Sequence, residues 1–264
     1  GKKYIEKWLA NDRKNCKYVL KIDIHKFFDS VPHDILKDKL TLIIKDKRFL
    51  DILFEVIDET EVGLPLGFYT SQWLANWYLS DLDHYIKEEL KACHYIRYMD
   101  DMVVFGSNKR KLHQMLRQIE AYLNNVLGLE LNPKWQVFRF DYIKDGKHYG
   151  RDLDFMGFRF FCNRTIMRKS IMLNCSRKAK AISKKRKPNV YDARQMISYI
   201  GWLDYTDTYD FYLEYVKPYV NVQKLKRRVA ADDKRKDKER KKHCQASFRN
   251  EKSPNFKILS EETD

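Results

Sequence analysis

The chain has 264 residues, 44% of them hydrophobic and 34% charged, enough apolar side chain for a real core and one smaller domain besides. A formal net charge of +15 makes a polyanion the first partner to expect, nucleic acid ahead of a membrane surface. Five scattered cysteines without zinc-finger spacing speak for reduced thiols, and no run reads as a bilayer span or a signal peptide.

The segment around Trp8 reads as a short helix that breaks near residues 11–15. Residues 17–24 alternate, with Tyr18, Leu20, Ile22 and Ile24 on one side and Val19, Lys21 and Asp23 on the other. That pattern predicts a half-buried strand with an acid on its second face. Ser30-Val31-Pro32-His33 opens a helix carrying Ile35, Leu36 and Leu40, and residues 50–57 form a second amphipathic helix. Gly63-Leu64-Pro65-Leu66-Gly67 is a loop with two flexible points, after which Thr70 or Ser71 caps a long helix bearing Trp73, Leu74, Trp77, Tyr78 and Leu82.

Residues 95–106 are the centre of the chain. Asp100 and Asp101 sit between the apolar, β-rich runs Ile96, Tyr98 and Met102, Val103, Val104, Phe105. With no Gly or Pro between the runs, Met99, Asp100 and Asp101 must make the turn, which brings both acids towards one point. Adjacent acids repel, so a divalent cation is the natural neutraliser, unless the pair is an ordinary polar hairpin tip. If the strand of Asp23 is a sheet neighbour, three carboxylates converge, the cluster that two-metal phosphoryl transfer needs.

Downstream, Asn108 caps a helix with a stripe from Leu112 to Leu127 that ends at Gly128. Asp145-Gly146 marks a hairpin, and residues 154–161 read as an aromatic strand interrupted by Gly157. Past Arg164 the chain becomes basic and helical, and residues 191–229 are helical and rich in Tyr. From Asp232 on it reads as solvated helix or disorder.

Taken together these stretches resemble a bacterial reverse transcriptase of the group II intron-like superfamily. Asp23-Ile24-His25-Lys26-Phe27-Phe28-Asp29-Ser30 is similar to the family's first catalytic motif, and Tyr98-Met99-Asp100-Asp101 to its second carboxylate motif, the YMDD motif. Leu64-Pro65-Leu66-Gly67-Phe68-Tyr69-Thr70-Ser71-Gln72 resembles the loop-and-helix motif between them. Leu129-Glu130-Leu131-Asn132-Pro133-Lys134 resembles the lysine-bearing motif, although Trp135-Gln136 departs from it. Phe155-Met156-Gly157-Phe158 resembles the primer grip, and Ser198-Tyr199-Ile200-Gly201-Trp202-Leu203 the thumb. The order of the motifs over residues 17–161 is far more specific than any one of them.

The resemblance implies an α+β fold: a polymerase palm, built as a small antiparallel sheet backed by helices, with residual fingers over 1–162, a helical thumb over 163–230, and a charged, flexible tail over 231–264. It implies an RNA-directed DNA polymerase of a bacterial retroelement, adding deoxynucleotides to a primer with two Mg2+ ions, or Mn2+ as a substitute. Leu66 before Gly67 and Gln72 after Ser71 resemble diversity-generating retroelement enzymes and related defence-type enzymes. The alternatives are a defence enzyme making protein-primed or untemplated DNA, and a non-catalytic RNA-binding scaffold.

In the resemblance Asp23, Asp100 and Asp101 hold metal together with the carbonyl of Ile24, and Lys134 protonates or neutralises the leaving pyrophosphate. Phe28 is the steric gate against a 2′-hydroxyl, or else a core ring beside Phe27. Gly67, Gln72 and Met99 contact nucleotide or template, and Phe155, Met156, Gly157 and Phe158 grip the primer. The implied partners are an RNA template, a DNA or RNA primer and deoxynucleoside triphosphates, with a basic accessory protein as a further one, no membrane, and a location in the bacterial cytoplasm. Basic finger residues that the family carries before this start do not precede Gly1, so the chain reads as a fragment.

Overall fold

In the computed structural model, which describes residues 1–250 and side chains through position 241, the central sheet is built from four short strands. They are β1 (Tyr18–Ile22), β2 (His94–Tyr98), β3 (Asp101–Gly106) and β4 (Gln136–Arg139). All three pairings are antiparallel, in the order β2-β3-β1-β4. Val19 and Leu20, neighbours on β1 that point to opposite faces, are both fully buried, so this strand is covered on both faces rather than half-buried.

One face of the sheet carries Leu20, Ile22, Met102 and Val104. Helices back it: α3 (His33–Ile43), α4 (Lys47–Ile57), α5 (Tyr69–Tyr78), α6 (Ser80–His84) and α7 (Lys109–Val126). Their buried stripes include Leu36, Leu74, Tyr78, Leu82, Leu116 and Leu123, each worth roughly 1.5–3 kcal/mol once removed from water. The side-chain oxygen of Asn108 accepts from the backbone N–H of Arg110 and Lys111, which fixes the start of α7. The long helix expected after Gly67 is broken into α5, α6 and a π-helical turn at Tyr85–Glu89.

The opposite face carries Val19, Val103 and Phe105. Helix α1 (Lys2–Asn11) covers it with Ile5 and Leu9, and so does a hairpin of β7 (Leu153–Phe155) and β8 (Phe158–Phe160). The aromatic stretch 154–161 is therefore two strands, not one. Met156 and Gly157, at φ 52 and 80, form the two-residue loop between Phe155 and Phe158, the sign pattern of a type I′ turn. The intervening hairpin, β5 (Tyr142–Lys144) and β6 (Lys147–Tyr149), turns at Asp145-Gly146 as the sequence predicts. A four-residue helix, α2 (Phe27–Ser30), follows β1, and a short strand, β9 (Thr165–Met167), lies where one compact unit, Gly1–Thr165, gives way to a second from Ile166.

The second unit is helical: α8 (Lys169–Ser183), α9 (Val190–Leu203), α10 (Tyr209–Tyr215) and α11 (Val222–Asn250). Cys175, Ala179, Met196, Ile200, Val216 and Leu225 are its core. Asn189 and Asp192 cap α9 reciprocally, and Asp192 also accepts from Lys178 and Lys185. The charged segment expected to begin at 231 continues α11, where Asp232 is buried and pairs with Arg194 of α9. The part of the expected tail at 251–264 lies outside the described residues. No helix among the described residues is long and apolar enough to cross a membrane.

Candidate active site

The register of β1 and β3 decides where the acids meet. Ile22 pairs with Met102, so the next residue along each strand end brings Asp23 opposite Asp101, with Asp100 one step further into the turn. Asp101 already pairs with Tyr98 across β2 and β3, so the turn consists of Met99 and Asp100 alone and Asp101 opens a strand. Asp23 and Asp101 share the sheet face of Val19 and Val103, the face on which the β7–β8 hairpin packs.

Burial pushes the Asp100 carboxyl above the usual carboxylate range. The negative charges of Asp23 and Asp101 push it further, and Asp23 lies within side-chain hydrogen-bonding reach of it. Lys21, on the same face, places Nζ 3.9 Å from Asp101 Oδ1 and donates to the carbonyl of Asp154 at 3.0 Å. One lysine thus links the strand of Asp23, the acid turn and the β7–β8 hairpin.

The lysine-bearing motif closes on Asp23 from the other side. Leu131 bridges Ile24, which is buried, and the two bonds of that bridge run from His25 N–H to Glu130 O and from Asn132 N–H to Asp23 O, both 2.8 Å. The Asn132 side chain then donates to Asp23 Oδ2 at 2.9 Å and accepts from the Lys134 N–H at 3.1 Å. Lys134 is exposed at the tip of this turn, close to Asp23 through Asn132. The departing residue Trp135 stands edge-on to His113 of α7, with ring centroids 5.9 Å apart. It anchors the turn to the helix layer.

Met99 has φ 57, a left-handed conformation that costs a non-glycine residue about 1–3 kcal/mol unless its surroundings hold it. Arg97 holds it here. Its guanidinium donates to the Met99 carbonyl at 3.0 Å, to the Asp83 carboxylate through Nε at 2.8 Å, and to both oxygens that Asn76 offers. Tyr95 adds a bond from its hydroxyl to Asp83 at 2.6 Å.

The loop at 63–67 packs beside α2. Leu64 N–H bonds the Phe28 carbonyl at 2.7 Å, and a Cβ on Gly63 would lie 2.4 Å from that oxygen, so only glycine fits. Ser71 caps nothing. It is buried in the first turn of α5, and its hydroxyl donates back to the Pro65 carbonyl at 2.7 Å, pinning the loop to the helix. Gly67, at φ 101, has open space where a Cβ would stand, so its backbone faces the void bare. Phe28 is half-buried and edge-on to the buried Phe27, while Gln72 is exposed on α5. Phe155 is fully buried, whereas Met156 and Phe158 remain partly accessible.

A family model described as "Reverse transcriptase (RNA-dependent DNA polymerase)" matches residues 2–160. The chain belongs to the reverse transcriptase family. It is 32% identical over 92 residues to the "Putative COX1/OXI3 intron 2 protein" of Saccharomyces cerevisiae, a match covering 31% of this chain and 11% of that protein. It is 30% identical over 114 residues to the "Retron Ec73 reverse transcriptase" of Escherichia coli, covering 38% of this chain and 36% of that one. The chain thus spans between 11% and 36% of the length of these curated relatives. Among solved structures, apo telomerase from Candida tropicalis, truncated from its C-terminal domain, superposes with a TM-score of 0.46 at 15% identity over 61% of this chain and 37% of that one. Telomerase from Candida albicans with a telomeric RNA fragment gives a TM-score of 0.45 at 13% identity, covering 82% and 44% of the two chains.

Set in a reverse transcriptase, the acids come together at one sheet end, with the lysine-bearing turn and the hairpin 155–158 arranged around them. Three residues that hold this arrangement escaped the sequence reading: Lys21, Arg97 and Asn132. Asn132 stood inside a quoted motif without a role. Lys21 was visible only as the residue two before Asp23 on the same strand face, a signal available from the alternation itself.

Proposed function

We propose that this reverse transcriptase chain is an RNA-directed DNA polymerase that adds deoxynucleotides to a primer. The observation that carries the reading is the β1–β3 register, which sets Asp23 opposite Asp101 and beside Asp100. Carboxylates crowded around a half-buried Asp100, whose carboxyl burial and then its acidic neighbours push up, are a donor set for hard divalent cations, so Asp23, Asp100 and Asp101, with the Ile24 carbonyl, would hold two Mg2+ ions, or Mn2+ in their place. When bound, such ions lower the pKa of the primer 3′-hydroxyl and neutralise the leaving pyrophosphate.

The chain's own residues do the rest. Asn132 fixes the rotamer of Asp23, and Arg97 fixes the turn that presents Asp100. Lys134, on the exposed turn beside Asp23, delivers a proton to the pyrophosphate oxygen. Phe28 presses on the sugar where a 2′-hydroxyl would stand, and Gly67, Gln72 and Met99 line the nucleotide and template side. The hairpin of Phe155, Met156, Gly157 and Phe158 seats the primer end, and Lys21 ties that seat to Asp101.

The second unit supplies lysines, and tyrosines such as Tyr191 and Tyr209, for a template–primer backbone held by charge and shape. Leu66-Gly67 and Gln72 favour a bacterial, diversity-generating or defence-type enzyme working in the cytoplasm, and a basic accessory protein fits such an element. Primer extension on an RNA template tests the proposal. Extension that Asp100→Ala abolishes supports it, and extension that persists in that variant, or none by the parent protein, overturns it. Sequencing the products separates templated synthesis from protein-primed or untemplated synthesis.

A further inference from the structure

A second group of donor atoms converges well away from the acid turn. Asp141 lies just after β4 and is buried; His148 is on β6; Cys162 follows β8. One donor atom from each comes within 4.8 Å of the other two. Asp141 is the hub: its Oδ1 is 2.9 Å from His148 Nδ1, and its Oδ2 accepts the Cys162 backbone N–H at 2.9 Å. Three chain segments that share no local motif therefore meet at one carboxylate.

We infer that Asp141, His148 and Cys162 form a zinc site in this chain, with water from the adjoining cavity as fourth ligand. The donor set is one carboxylate oxygen, one imidazole nitrogen and one thiolate sulfur. That mixture suits Zn2+ better than Mg2+, which takes oxygen donors. Tetrahedral zinc with bonds of about 2.0–2.3 Å sets its ligand atoms about 3.3–3.8 Å apart. The present spacing needs only small side-chain rotations to reach that. His148 sits on an exposed two-residue-turn hairpin, which can make such an adjustment. Burial pushes the Cys162 thiol up to about 11, so an incoming ion would displace its proton to solvent, and the resulting thiolate and the Asp141 carboxylate together would neutralise the ion.

The Cys162 N–H bond orients the carboxylate from behind, as an outer partner of a metal ligand does. Asp141 and Cys162 both line a cavity of about 340 Å³, shared with Cys16, which gives water access to the fourth position. The ion would lock the β5–β6 hairpin to the end of β8, and so brace the opposite end of the sheet face that carries the acids. Sequence spacing hides such a site, because each ligand comes from a different hairpin or strand end rather than from a paired-cysteine motif.

The test uses the purified protein, prepared without metal affinity or chelator, with Zn2+ and Co2+ alone as probes. Elemental analysis is expected to find one zinc per chain. The stripped protein is expected to take up Co2+ with a near-ultraviolet thiolate charge-transfer band. Cys162→Ser should abolish the band, and His148→Gln and Cys162→Ser should each weaken zinc about tenfold or more in competition with a chromophoric chelator. Asp100→Asn should keep both the zinc and the band. No tight zinc, or equal affinity in both ligand variants, overturns the inference and leaves Asp141 a plain hydrogen-bonding staple. Loss of zinc in Asp100→Asn overturns it too, placing the ion at the acid turn. None of these readouts depends on polymerase activity.

Discussion

Asn132 Nδ2 donates to Asp23 Oδ2 at 2.9 Å, joining residues 109 apart in the chain. The Asn132 N–H also holds the Asp23 carbonyl, so one residue fixes both the backbone and the carboxylate. Asn132→Ala frees that carboxylate to rotate. Supports of this kind are worth about 10–100-fold, so kcat for single-nucleotide incorporation should fall by that factor while template–primer affinity stays put. Asn132→Asp should be worse, because it sets a like charge against Asp23. A kcat within about twofold of the parent in both variants would contradict this, given the scale of such effects.

Burial and the negative charges of Asp23 and Asp101 push the Asp100 carboxyl above its ordinary range. Relieving that repulsion should stabilise the metal-free protein even as it destroys activity. Asp100→Asn is expected to raise Tm by about 1–3 °C in chelator at neutral pH. Added Mg2+ should then raise the Tm of the parent and leave the variant unmoved. Differential scanning calorimetry with and without Mg2+ reads both effects; a lower Tm for the variant in chelator would refute the repulsion.

Much of this site was legible in the chain because it rests on local patterns. Alternation located β1, the apolar runs located β2 and β3, and the lack of Gly or Pro between those runs forced the turn onto Met99 and Asp100, although Asp101, expected in the turn too, opens β3. The Asn108 cap and the Asp145-Gly146 turn are equally local, and both stand where the residues put them. What escaped is non-local. Nothing near Val19 reveals that α1 and a hairpin 130 residues on will cover its face. Met156 is no turn former by propensity, so the stretch 154–161 read as one strand; tertiary packing of Phe155 and Phe160 overrides that preference. Ser71 looked like a cap because its type favours caps, yet a buried hydroxyl six residues from a free carbonyl found that partner instead.

Arg97 is the strut of the acid turn. It joins the carbonyl of strained Met99 to the Asp83 carboxylate, and its side chain is largely buried. Arg97→Ala leaves Asp83 and the Met99 carbonyl without it, and about 3 kcal/mol of stability should go. Arg97→Lys should not rescue, since one ammonium cannot reproduce a planar fork reaching acceptors on three residues. Urea unfolding measures the loss. Lysine restoring more than half of it would show that charge, not geometry, matters.

Phe28 combines a structural backbone with an available ring. Its carbonyl receives the Leu64 N–H, and its ring is only half-buried against Phe27. Phe28→Ala should therefore spare the loop and open space at the sugar. Ribonucleotide incorporation should rise about tenfold or more relative to deoxynucleotide, the scale on which a pocket of this kind discriminates. Competing single-nucleotide additions measure the ratio; an unchanged ratio with a folded protein would make Phe28 a core residue only.

In the second unit, hydrogen bonds from Lys178 and Lys185 hold the Asp192 carboxyl at about 2, below its ordinary 3.8, against the opposing pull of burial. A depressed folded pKa makes the stabilisation complete above the unfolded value and erodes it as pH falls through about 2. Solvent screening of Lys185 keeps its worth to roughly 1 kcal/mol. Asp192→Asn retains a cap acceptor but gives up both ion pairs, so α9 should lose that amount at pH 7. The deficit should shrink below about pH 4 and be mostly gone near pH 2, where the parent carboxyl is itself half protonated. Hydrogen exchange of the α9 amides across that range follows the effect locally. A deficit that persists undiminished at pH 2 would mean that the two lysines do not stabilise this helix through charge.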